Sequence, residues 1–75
     1  MMKLTHTQAA VVAELCTEYA DYKFAISNGD DAMIVHHGAR TLERCTMLGF
    51  SKLLRHVKQN VEQSMSRLGK EKVHD

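Results

Sequence analysis

The adjacent histidines His36 and His37 are the side chains of this sequence best suited to holding a metal or moving a proton. Consecutive positions on a helix point about 100° apart, so the two rings diverge instead of sharing one ion. Zinc sites carried by a helix use an i, i+4 pair, as in HExxH, and no two histidines or cysteines stand at that spacing. Cys16 and Cys45 lie in different elements with no CxxC pattern. Both fall on apolar helical stripes, which predicts two reduced, buried thiols acting as small hydrophobes. Asp30 and Asp31 form a neighbouring carboxylate pair at a place where helix capping already uses such residues. The glycines at 29, 38, 49 and 69 are scattered and make no phosphate-cradling loop. No local arrangement sets a nucleophile beside a base. These residues predict a non-catalytic protein with no metal, no cofactor and no small-molecule substrate.

The elements that carry these residues read as helices. Thr5 followed by Gln8 is a capping-box pattern, in which each side chain satisfies a backbone donor of the other. Val12, Leu15, Cys16, Tyr19, Tyr22 and Ile26 then recur at spacings of three and four, the stripe of an amphipathic helix. Ser27-Asn28-Gly29 ends it, since Asn and Gly tolerate the left-handed backbone of a C-cap. Asp30 or Asp31 caps a second helix with the stripe Ile34, Gly38, Leu42, Cys45 and Leu48, broken at Gly49. Ser51 is placed to cap a third, carrying Leu54, Val57, Val61, Met65 and Leu68 until Gly69 stops it, with residues 70–75 a frayed tail. The fold class this predicts is all-α: one domain over residues 1–75, a bundle of about three helices. A chain this short buries only about 60% of its unfolded surface, so dimerisation is expected to complete the core. One alternative competes. Asn28-Gly29 is a strong hairpin signal, and an α+β arrangement with a short hairpin at residues 22–35 would set Phe24 opposite Met33 and Tyr22 opposite Val35.

Two binding signals lie in the second half of the chain. Met47, Leu54, Val61 and Leu68 repeat every seven residues, with Phe50 and Val57 between them and Ser64 as the polar exception. That is an a/d seam of about three heptads, enough to serve a helical interface. Met47, Leu54, Val57, Val61 and Leu68 are therefore the expected contacts of a homodimer or a protein partner. The segment Thr41 to Ser51 resembles the first helix and turn of a DNA-binding helix-turn-helix, with its Gly49-Phe50-Ser51 turn. It departs from that motif at Arg55, which stands where the recognition helix would bury an apolar residue. Lys52, Arg55, His56 and Lys58 nevertheless offer four phosphate contacts within seven residues.

Charge is near balance at +1 but unevenly placed. Residues 1–37 hold Glu14, Glu18, Asp21, Asp30 and Asp31 against Lys3 and Lys23, whereas the bases dominate residues 38–75. Such a chain can pair with itself or offer its basic half to an anionic partner. No signal peptide or membrane span is evident, which predicts a cytoplasmic protein. The function expected is a small helical regulator, adaptor or inhibitor acting on another protein, as a homodimer. The alternative is a nucleic-acid-binding transcriptional regulator using a basic helix at residues 51–68.

Overall fold

The computed structural model describes residues 5–73, with side chains described through Lys70. They form three helices, α1 (His6–Asn28), α2 (Asp31–Leu48) and α3 (Ser51–Val73), with no strand among them. The capping box at the start of α1 is present: Gln8 N–H donates to Thr5 Oγ1 (3.1 Å), and Thr5 N–H donates to Gln8 Oε1 (3.0 Å). Asp30, not Asp31, caps α2, its Oδ1 accepting from Met33 N–H at 3.2 Å.

Both connections are built alike. Gly29 and Gly49 adopt the left-handed conformation at φ 64° and 75°. In the first turn Gly29 N–H donates to Ile26 O and Asp30 N–H to Ala25 O. In the second, Gly49 N–H donates to Thr46 O and Phe50 N–H to Cys45 O. This paired arrangement satisfies the last carbonyls of each helix and reverses the chain within two residues. Asn28-Gly29 is thus a helix terminus, and the hairpin over residues 22–35 does not form. The helical stripe runs through Tyr22 and Ala25 without a break and buries both, which a strand pairing would undo.

α2 lies between the other two helices, and α1 and α3 pack on it without close backbone approach to each other. The core is Tyr22, Ala25, Ile34, Val57 and Val61, with Tyr19, Val35, Leu42 and Leu53 partly buried around it. Gly38 permits this meeting. A Cβ there would overlap Val61 Cγ2 and touch the Tyr22 ring, so the missing side chain lets three helices converge at one point. Thr41 is fully buried, its hydroxyl donating to His37 O at 2.8 Å.

Several details differ from the periodic reading. The buried face of α1 is Val11, Leu15, Tyr22 and Ala25, one position round from the expected stripe. Cys16 is consequently exposed, and only Cys45 is buried. Met65 is 55% exposed, while Ser64 is fully buried in its place with Arg67 Nη2 donating to its hydroxyl. Ser51 is the first residue of α3 instead of its cap, with Leu54 N–H donating to Phe50 O. α3 also continues through Gly69 to Val73, because a helical glycine costs only about 1 kcal/mol and nothing else stops the chain there. The last two residues of the expected frayed tail, 74 and 75, lie outside the described residues.

Asp31, free of capping duty, receives Arg67. Nε donates at 2.9 and 3.0 Å and Nη2 lies 2.8 Å from Oδ1, a fork that ties the start of α2 to the last turns of α3. Those hydrogen bonds hold the Asp31 carboxyl below the ordinary carboxylate range. A lowered folded-state value means stability that is complete above that range and lost as pH falls through the lowered value. Acid unfolding monitored by circular dichroism is therefore expected to lose part of its steepness in Asp31→Asn, while stability at neutral pH falls only modestly. An acid limb identical to that of the parent chain would remove Asp31 from the account.

Candidate functional site

Three surfaces could carry function. The first is on α3, where the expected seam and the expected basic face separate cleanly. Val57 and Val61 are 0% and 6% exposed in the single chain, packed against Tyr22 and Ile34. Leu54 and Leu68 are half-buried, and Met47 lies exposed near the end of α2. The heptad repeat thus faces the chain's own core across most of its length. Lys52, Arg55, His56 and Lys58 are all exposed. Their charge stands out because several acids elsewhere are already paired with arginines. Glu14 meets Arg44 at 3.1 Å, Glu18 meets Arg40 at 2.7 Å, and Asp31 meets Arg67. Among the described residues no ion pair engages Lys52, Arg55 or Lys58. A chain of nearly zero net charge therefore presents a locally basic helix.

The second surface is on α1. Val12, Cys16, Tyr19, Lys23 and Ile26 follow a 4-3-4-3 spacing, a second helical seam beside the buried one. α2 does not cover it: Cys16, Lys23 and Ile26 are exposed, and Val12 and Tyr19 are half-buried. The Lys23 ammonium sits 5.6 Å from the Tyr19 ring centre, a cation–π distance that lays its aliphatic stem along the seam. Tyr19, Lys23 and Ile26 line a cleft of about 190 Å³ whose other wall is His56 and Asn60 of α3. At its floor Asn60 Nδ2 donates to the Tyr22 hydroxyl at 2.7 Å, a direct link between α1 and α3. A helix with apolar residues on more than one face needs more than one neighbour, and here α1 packs along α2 and meets α3 only around Tyr22 and this cleft. Val12, Cys16, Tyr19 and Ile26 of this seam belong to the same broad stripe in the sequence as the buried Leu15 and Tyr22.

The third surface is polar and lies where α1 crosses α2. His37 Nδ1 stands 2.9 Å from Glu18 Oε2 and 4.0 Å from Asp21 Oδ2. Arg40 Nε donates to the other Glu18 oxygen at 2.7 Å. Those two hydrogen bonds hold the Glu18 carboxyl below its ordinary value, against a smaller desolvation effect. His36 does not join this cluster. Its ring is exposed and meets His37 edge-on, centroids 4.9 Å apart, so the two rings touch where the helical spacing predicted divergence. Asp21 and His37 also line a cleft of about 260 Å³ shared with Phe24, Asp30 and Met33. The sequence signal for this cluster was the Glu18 and Asp21 pair at i, i+3. It needed the pairing of α1 with α2 to acquire meaning.

No described helix is long and apolar enough to cross a membrane. No family model, curated protein or solved structure matches this chain.

Proposed function

We propose that this chain is a non-catalytic helical binding protein that works as a homodimer, joined through the outer seam of α1, and that it regulates a protein partner in the cytoplasm. The observation that carries this reading is the 4-3-4-3 stripe Val12, Cys16, Tyr19, Lys23 and Ile26, which the chain's own helices cover only in part. A second α1 laid antiparallel along the first would cover the stripe and supply the neighbour that α1 lacks. A C2 pairing of this kind is the commonest oligomer symmetry.

The compensated acids favour a second reading, in which the face of Lys52, Arg55 and Lys58 binds the phosphates of a nucleic acid. One set of experiments separates the two. Light scattering of the full chain at low and high salt is expected to give twice 8.5 kDa in both. Ile26→Asp, which places a charge on the seam and leaves the core intact, is expected to return the single-chain mass with unchanged helicity. A single-chain mass for the parent at both salts rejects the dimer. Binding of duplex DNA that weakens steeply with salt, and is lost on reversing the charges of Lys52, Arg55 and Lys58, would establish the second reading in its place.

A further inference from the structure

We propose that Glu18, Asp21 and His37 form a binding site for a divalent transition-metal cation of the zinc class, one that clamps α1 to α2. One ligand atom from each of the three side chains falls within a sphere in which all lie within 4.8 Å of one another. Nitrogen and oxygen ligands bind zinc at about 2.0–2.2 Å, which sets them about 3.4 Å apart around a tetrahedral ion. The two distances from His37 Nδ1, 2.9 Å to Glu18 and 4.0 Å to Asp21, bracket that separation. Asp21 is the ligand that has to travel, and its side chain is 53% exposed, so a rotamer change brings it in without disturbing the core.

The existing hydrogen bonds suit a metal as well. His37 Nδ1 lies 2.9 Å from Glu18 Oε2, a hydrogen-bonded pair. A cation bound between them would require the imidazole tautomer that carries its single hydrogen on Nε2 and leaves Nδ1 free to ligate. Arg40 holds Glu18 Oε1 at 2.7 Å and leaves Oε2 turned toward His37, the part an outer-shell partner plays around a metal. Imidazole with carboxylate is a donor set that zinc accepts, and Asp21 adds a negative charge that Arg40 does not already engage. The cleft beside Asp21 and His37 leaves room for water to complete the coordination.

This site is independent of the α1 seam, and its failure would leave the dimer untouched. The test is calorimetric titration of the metal-free full chain with zinc chloride, alongside thermal unfolding with and without the metal. Binding of one zinc per chain is expected, with a rise in Tm that tracks zinc concentration. Asp21→Ala is expected to weaken the affinity at least about tenfold, the lower end of what losing even an outer-shell partner costs. His37→Ala, with its helicity verified, is expected to abolish binding. Cys16→Ser and His36→Ala are expected to leave it unchanged. No zinc binding by the parent chain up to millimolar concentration would overturn the proposal. So would an affinity that Asp21→Ala leaves intact.

Discussion

Replacing Gly38 by valine is expected to leave the chain unfolded at room temperature. Two effects oppose each other at this position. A helical glycine is about 1 kcal/mol worse than alanine, so any side chain gains helix propensity. Against that, the first carbon of the side chain would overlap Val61 Cγ2, in a core where Val61 and Tyr22 are already packed. Overpacking of this kind costs roughly 1–3 kcal/mol for a small addition and more for a branched one. A chain of this length has a total stability of only about 4–11 kcal/mol. Steric overlap therefore wins. Gly38→Ala is expected to be destabilised by roughly 1–2 kcal/mol after the propensity gain, and Gly38→Val not to fold. Urea unfolding provides the measurement, and a double variant sharpens it. Adding Val61→Ala to Gly38→Ala removes the overlapping methyl, so the pair is expected to cost about 1–2 kcal/mol less than the sum of the single changes. Strict additivity would mean that the helices simply move apart at that point.

Tyr22→Ala is the other large effect. The ring is 2% exposed, stacks on Tyr19 with centroids 5.8 Å apart and closes the space left by Gly38. Removing an aromatic side chain from such a site costs about 3–5 kcal/mol, close to the lower end of the whole stability. The hydroxyl accounts for a small part of this. Tyr22→Phe loses the hydrogen bond from Asn60, but Asn60 is half-buried and can turn to water, so roughly 0.5–1.5 kcal/mol is expected. Comparing the two variants by thermal unfolding separates ring from hydroxyl. A Phe variant as unstable as the Ala variant would shift the weight to the Asn60 bond.

The all-α architecture was legible in the sequence because α1 and α2 announced both of their ends, whereas α3 runs past its expected stop at Gly69. Thr5 with Gln8, Gly29 with Asp30, and Gly49 are local signals whose chemistry does not depend on the rest of the fold. What periodicity could not supply was rotation. On α1, apolar residues occupy two neighbouring seams, and their sum points between them. The choice of Val11 and Ala25 over Cys16 and Ile26 as buried positions depends on where α2 sits. α3 posed the opposite problem: a heptad seam looks the same whether a partner chain or the chain's own second helix occupies it. The polar cluster was invisible for a related reason. Glu18, Asp21 and His37 are brought together only by the antiparallel pairing of α1 with α2, whereas the more conspicuous neighbouring histidines touch edge-on and only His37 joins the cluster.

The placement of α2 between two helices that barely meet each other bears on how the chain reaches its fold. Nearly every interhelical contact joins sequence neighbours across a two-residue glycine turn, and the Asn60–Tyr22 bond is a rare link between the first helix and the last. Little loop entropy must be lost before either hairpin is rewarded, which belongs to the microsecond-to-millisecond regime of helical bundles. The α1–α2 and α2–α3 hairpins are also two equivalent starting points built from the same turn. Sites that bridge α1 and α3 would be the last to assemble, so the cleft at Tyr22 and Asn60 would report on completion of the fold.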